Sequence, residues 1–338
     1  MGKVTLKDVA KAANVSFTTV SRALSGNPEI NKDTRERILR ICEEMGYTTN
    51  YIARSMIKKK TELIGLILPS IDNPFMSELA YYVEITARRF GYNLILCNSY
   101  PDLNQELKAM KLMVGHQVDG VLVIPQKPES CANLMKYASV VPTVFLSENL
   151  RDQSANYISV DNHRGTMLGV EYLFGLGHRN ILYFGCRLGS TTHQLRADGY
   201  KEACRKFGIE PKIIYFESSS SSVELGYEMA CTEFSHYEGG YTAVFASTDS
   251  NAIGMMQAAR EQNIRIPEDI SLLGFDNIRL SSLPQIDLTT ISQPKEAMAV
   301  SAVKMLIHKI SNNSSQPSFE IIAPSLIERG SCRALESN

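Results

Sequence analysis

From Glu62 onward, short apolar runs rich in β-branched and aromatic residues alternate with segments whose apolar positions recur every three or four residues. The runs at 63–68, 93–97, 121–124, 143–146, 181–184, 213–216, 243–245 and 271–275 have the length and continuous apolarity of strands buried on both faces. Helical periodicity occupies 76–90, 104–116, 164–176, 197–207, 223–234 and 251–262. Strand alternating with helix predicts parallel sheets covered by helices on both faces, and the number of strands suits two such sheets.

The first sixty residues read differently, because only helical spacing occurs there. Thr5 is placed to cap a helix, Asp8 puts an acid in its first turn, and Leu6, Val9, Ala10 and Ala13 repeat along one face. That helix stops at Asn14-Val15-Ser16, and Ser16 is the expected cap of a short second helix over 17–24. A close crossing of two helices over a tight turn needs a small residue at the contact, a residue tolerant of left-handed geometry in the turn, and an inward aliphatic on the second helix. Ala10, Asn14 and Val20 meet these needs in order. Ser25-Gly26-Asn27-Pro28 ends the second helix, Asn31 or Asp33 opens a third, and Ile38, Ile41, Cys42 and Met45 turn towards the other two before Gly46. This predicts a helix-turn-helix in which Phe17, Thr18 and Arg22 face base edges in a major groove, with Ser16, Thr19 or Ser21 near phosphates. A helical hairpin that merely packs is the alternative reading of this segment.

Composition sharpens the division. The net charge of −1 over 338 residues conceals an uneven distribution, since residues 1–60 hold twelve Lys/Arg against six Asp/Glu, a balance of +6, leaving −7 for the remainder. A basic head on an acidic body can meet phosphates at one end only. Seven scattered cysteines without CxxC or Cys/His spacing argue against a disulfide framework and structural zinc. No signal peptide and no apolar stretch of membrane-spanning length is found, so the expected location is the cytoplasm, with no membrane partner. Walker A, G-x-G-x-x-G, G-x-S-x-G and HExxH motifs are absent, the histidines lack metal-ligand spacing, and neither enzyme activity nor a cofactor is expected.

The segment VTLKDVAKAANVSFTTVSRALSGNPEINKDTRERI, followed by Gly46-Tyr47 and Asn50-Tyr51-Ile52-Ala53-Arg54-Ser55-Met56, resembles the lactose/purine-repressor (LacI/GalR) family of bacterial transcription regulators, and the likeness runs the length of the chain. The resemblance implies an all-α helix-turn-helix head at 1–49, a hinge at 50–61, and an α/β effector-binding body at 62–338 built from two doubly wound parallel-sheet subdomains like those of periplasmic binding proteins. Their expected extents are 62–160 with 293–322, and 161–291 with 323–338, joined by crossings near Val160, Ile291 and Ala323. It further implies a homodimer on a pseudo-palindromic operator of double-stranded DNA, contacted by Thr5, Ser16, Phe17, Thr18, Thr19, Ser21, Arg22, Asn50, Ala53, Arg54 and Met56. Met56 stands where the family pushes a Leu into a minor-groove step, and Thr49 replaces the usual Pro before the hinge.

Ligands in doubly wound folds lie beyond the carboxyl ends of strands. Those exits read Asp72-Asn73-Pro74-Phe75, Ser147, Thr248-Asp249 and Asp276-Asn277, with Arg196 before a helix and Gln293 beside them. Arg, Asp, amide and hydroxyl groups with an aromatic ring form the chemistry of a polyhydroxylated, sugar-like ligand. By family match the effector contacts are Arg196 and Asp276, then Phe75, Met76, Ser147, Thr248 and Gln293. Structural roles compete with these: Asp276 can cap a turn, Asp249 is expected to cap the helix near Ser250, and Gln293 can fix a hinge strand beside Pro294. Thr248 and Ser147 replace the Asn and Asp that relatives carry, and the Ser218–Ser222 run occupies a loop where sugar-responsive relatives offer an aromatic. The alternatives left open are a regulator that needs a phosphorylated carrier-protein corepressor, and a solute-binding module without DNA activity.

Overall fold

The computed structural model describes residues 4–24, 27–47, 60–100, 102–125, 127–147, 155–186, 190–216, 222–237, 239–312 and 316–335. The chain divides into two compact units, Met1–Thr61 and Glu62–Asn338.

In the first unit, α1 (Leu6–Ala12) opens on a reciprocal cap in which Thr5 accepts from the Asp8 amide and Asp8 accepts from the Thr5 amide. Asn14 takes the left-handed conformation (φ 50°) that reverses the chain. Ser16 then caps α2 (Phe17–Leu24) by accepting from the Thr19 amide at 3.1 Å. α3 (Lys32–Glu44) is capped by Asn31, which resolves the choice left open by the sequence. Val9, Ala10, Ala13, Val20, Ala23, Ile38 and Cys42 form the buried centre, with Ile41 and Met45 against it. So small a core leaves little surplus, since each fully buried aliphatic side chain contributes only about 1.5–3 kcal/mol.

The second unit is built in chain order from β1 (Leu63–Leu68), α4 (Pro74–Arg89), β2 (Asn93–Asn98), α5 (Leu103–Gly115), β3 (Gly120–Val123), α6 (Pro128–Met135), β4 (Thr143–Leu146) and β5 (Tyr157–Val160). There follow α7 (Asn162–Gly175), β6 (Ile181–Cys186), α8 (Thr191–Phe207), β7 (Lys212–Phe216), α9 (Val223–Phe234), β8 (Ala243–Ala246), α10 (Asp249–Glu261) and β9 (Ser271–Asp276). A 3-10 turn (Arg279–Ser282), β10 (Thr289–Ser292), α11 (Lys295–Asn312), β11 (Phe319–Ile322) and β12 (Ser325–Ile327) complete it.

Two six-stranded sheets result, ordered β11-β5-β4-β3-β1-β2 and β12-β10-β9-β8-β6-β7. Every pairing is parallel except that of β10 with β12. The chain passes from the first sheet to the second after Val160, returns after Ser292 and crosses again between Ile322 and Ser325. Apolar clusters around Leu66 and Val303 and around Ile67 and Phe145 cover the first sheet, and clusters around Tyr183 and Phe275 and around Val244 and Met255 cover the second.

Most predicted boundaries fall within two residues of the observed ones, but two differences bear on the site. α8 begins at Thr191, so Arg196 lies inside the helix rather than before it. α10 is capped by Thr248, whose side chain accepts from the Asn251 amide, and Asp249 is its first residue rather than its cap. Among the described residues no helix is long and apolar enough to cross a membrane.

Candidate functional site

In each sheet the strand order reverses direction at the first strand of its half, between β1 and β3 and between β6 and β8. Chain segments leaving such neighbours diverge to opposite faces and open a crevice at their carboxyl ends. Segments after these strands line a cleft of about 580 Å³, including Pro69 and Ser70 after β1, Ile124 after β3, and Thr248 after β8. Phe75, Met76, Ser147, Arg196, Thr248, Asp276 and Gln293 all line this cleft.

Arg196 is its centre. The guanidinium donates from Nε to Asn162 Oδ1 at 2.8 Å, from Nη1 to the Ser247 carbonyl at 2.5 Å and from Nη2 to Asp276 Oδ1 at 3.4 Å. It also lies 3.7 Å from the centroid of the Phe275 ring. Burial lowers its pKa, opposed by the Asp276 charge, while burial raises that of Asp276 against the pull of Arg196, Gln293 and Lys295. Asp276 Oδ1 also accepts from Gln293 Nε2 at 2.6 Å, whereas Gln293 Oε1 is buried without a partner among the described residues. The Asp276 backbone stands at φ 121°, a conformation L residues rarely adopt, and its carbonyl accepts from Lys295 Nζ at 3.0 Å.

The remaining predicted contacts are held by backbone geometry. Asn73 caps α4 by accepting from the Phe75 and Met76 amides, which holds both residues at the cleft lining. Ser147 is left-handed (φ 66°), and its carbonyl accepts from Thr192 Oγ1 at 2.8 Å. Thr248 spends its hydroxyl on the helix cap and on Asn251 Oδ1 at 2.7 Å. Asp249 is an interior acceptor, receiving Thr290 Oγ1 at 2.5 Å, Ser281 Oγ at 2.6 Å and the Ile278 amide at 2.9 Å. Burial, together with the Asp276 charge, pushes its carboxyl up to about 7.

Sequence reasoning missed Thr192 and His193, which line the same cleft. They belong to the first turn of α8, where polar residues hid the helical period, and Ser190 as N-cap was the available signal. Among the described residues no cluster of His, Cys, Asp or Glu could hold a metal.

In the first unit, α2 buries Val20 and Ala23 and exposes Phe17, at 51%, with Thr18 and Arg22. Thr5 and Ser16 are exposed, and Thr19 and Ser21 are half-buried. Arg22 pairs with Glu29 at 3.1 Å. Asn50, Ala53, Arg54 and Met56 lie outside the described residues.

Residues 5–50 match the bacterial regulatory proteins of the lacI family, and residues 170–332 match the periplasmic binding protein-like domain. Catabolite control protein A of Priestia megaterium is 32% identical over 328 residues, covering 96% of this chain and 98% of that protein. The chain belongs to the LacI family. This LacI-family regulator is also 31% identical to the transcriptional repressor CytR of Escherichia coli K12, over 98% of its own length and 97% of CytR. Its fold is similar to that of the Lac repressor dimer bound to operator and the anti-inducer ONPF, with a TM-score of 0.87, 26% identity and coverage of 98% of this chain and 100% of that one. A periplasmic binding protein/LacI transcriptional regulator from Alkaliphilus metalliredigens QYMF complexed with D-xylulofuranose matches at TM-score 0.71 and 27% identity, over 80% of this chain and 99% of that one. The relatives are transcriptional regulators, not enzymes, and this LacI-family member joins a helix-turn-helix DNA-binding head to an effector-binding domain.

Proposed function

We propose that this regulator represses transcription as a homodimer on a pseudo-palindromic operator, and that a small polyhydroxylated effector in the cleft of residues 62–338 controls its hold on DNA. The observation that carries the first half is the two-faced character of α2: Val20 and Ala23 are wholly buried while Phe17, Thr18 and Arg22 are exposed to solvent. A helix that merely packed would have no reason to present an aromatic ring and a guanidinium to solvent. A recognition helix needs both, for the thymine methyl and for guanine O6 and N7. Pairing of two copies supplies the second half-site, as in the operator-bound Lac repressor dimer to which the chain is similar.

For the effector, support comes from the Arg196–Asp276–Gln293 group, which presents directional donors and acceptors beside the Phe75 and Met76 side chains. Domain extents of 1–49, 50–61 and 62–338 follow from this reading, with Asn50, Ala53, Arg54 and Met56 assigned to the operator.

Fluorescence anisotropy with promoter fragments, against a scrambled duplex over a salt series, tests the proposal. Specific binding with a steep negative salt slope is expected. Equal affinity for both duplexes would overturn operator recognition and leave a ligand-binding module.

A further inference from the structure

His178, fully buried, and His193, half-buried, differ in a telling way. His178 has both ring nitrogens engaged, Nδ1 with Thr242 Oγ1 at 2.8 Å and Nε2 with the Arg333 carbonyl at 3.1 Å. It is a satisfied structural residue. His193 lines the cleft one helical turn before Arg196, on the same face of α8, and its Nδ1 is buried without a hydrogen-bond partner among the described residues. A buried imidazole nitrogen without a protein partner costs free energy, so a ligand group able to hydrogen-bond with it is favoured in the cleft.

The charge around it limits what that group can be. Among the described residues lining the cleft, the carboxylates of Asp72, Glu224 and Asp276 outnumber the one cation, Arg196, which already gives three of its five N–H groups to Asn162, Ser247 and Asp276. Burial and the neighbouring Arg196 charge push the His193 pKa down to about 3, so the ring is neutral at physiological pH. A neutral imidazole presents one donor and one acceptor, the complement of a hydroxyl group. Gln293 Oε1, also buried at the cleft and without a partner among the described residues, is a further acceptor.

We infer that His193 is an additional effector-contacting residue, and that the effector it reads is an uncharged polyhydroxylated compound rather than a phosphorylated or acidic one. This rests on the reading of the cleft as an effector site. His193 recognises a hydroxyl through Nδ1, which accepts from it or donates to it according to the ring tautomer once the ring rotates to bring Nδ1 to the cavity, and the acidic lining repels an added phosphate.

The test is isothermal titration of the full chain with D-ribose, D-glucose, D-fructose, cellobiose and cytidine, and with glucose 6-phosphate and gluconate as anionic counterparts. A neutral probe is expected to bind at least about tenfold more tightly than any anionic one. His193→Leu should weaken that probe about tenfold or more, and His193→Gln, which restores a donor and an acceptor, should stay within about threefold of wild type. Because Leu removes an unpaired polar atom, ligand-free His193→Leu should melt no lower than wild type; a clear loss would mark His193 as structural and overturn the inference. Tighter binding of glucose 6-phosphate would overturn it too. If the probe is lost in Asp276→Asn but unchanged in His193→Leu, the cleft is an effector site and His193 is not part of its recognition. Binding by none of the probes would defeat the effector reading itself, and the inference with it.

Discussion

Lys295 Nζ stands 3.3 Å from the Glu78 carboxylate and donates to the carbonyls of Asp276 at 3.0 Å and Asn277 at 2.6 Å. Glu78 belongs to α4 on the first sheet, while Asp276 and Asn277 end β9 of the second. Glu78 also accepts from the Arg279 amide at 2.7 Å. One ammonium and one carboxylate therefore tie the two halves together directly behind the residue that holds Arg196. Both side chains are close to fully buried, at 7% and 11%. Removing one strands the other: Lys295→Met should lose roughly 3–5 kcal/mol of stability, and pairing it with Glu78→Gln should restore part of the loss. Urea unfolding of the four members of the cycle measures this, and additive effects would show that the two charges do not act together.

The buried carboxyl of Asp249 makes stability depend on pH. Its folded pKa of about 7 lies above the unfolded value of 3.8, so its stabilising contribution is complete below pH 3.8 and is lost as pH rises towards 7. The loss attributable to this group reaches up to roughly 4 kcal/mol. Asp249→Asn should flatten the decline between pH 4 and 7, since an uncharged amide can still accept from the Ile278 amide. Chemical denaturation at intervals across that range checks it, and an unchanged slope would place the titration elsewhere.

Helix packing around the cleft admits no side chain at Gly199. A Cβ there would lie 2.4 Å from the His163 carbonyl on α7. Backbone cannot yield as a flexible side chain does, so Gly199→Ala should push α8 outwards and cost about 1–3 kcal/mol. Because α8 carries Thr192, His193 and Arg196, effector affinity should fall along with the melting temperature. Normal affinity in a destabilised variant would show that the cleft tolerates the shift.

Arg22 and Glu29 are both more than half exposed, so their ion pair adds no more than about 1 kcal/mol to the fold. Arg22→Ala should reduce discrimination between operator and random DNA by about 1–3 kcal/mol. Glu29→Gln should leave stability nearly unchanged and tighten operator binding, because the carboxylate competes with the duplex for Arg22. Anisotropy titrations on both duplexes read these effects; equal loss on operator and random DNA in Arg22→Ala would assign that residue to phosphate.

Periodicity made much of this molecule legible. Strands such as Leu63–Leu68 and Ser271–Asp276 are buried along nearly their whole length, so their apolar runs stand out from any surroundings. The short strand Phe319–Ile322 escaped notice because it is an edge with its side chains largely exposed, and alternation is weak where neither face is covered. The start of α8 escaped because helical period needs apolar residues, and Thr191–Gln194 are polar ones turned partly towards the cleft.

The amino-acid order alone determined the alternation of strand and helix, the capped turn at Asn14 and the separation of a basic head from an acidic body, and its family resemblance pointed to seven of the residues that line the cleft. All of these depend on neighbours in the chain or on side-chain chemistry that survives unfolding. Only the tertiary structure decided that Asp249 is an interior acceptor and not a cap, that Lys295 is spent on Glu78 and two carbonyls, and that His193 Nδ1 has no partner among the described residues while His178 is satisfied. Those outcomes turn on which groups are brought together from opposite ends of the chain and denied water, and no local pattern records that meeting.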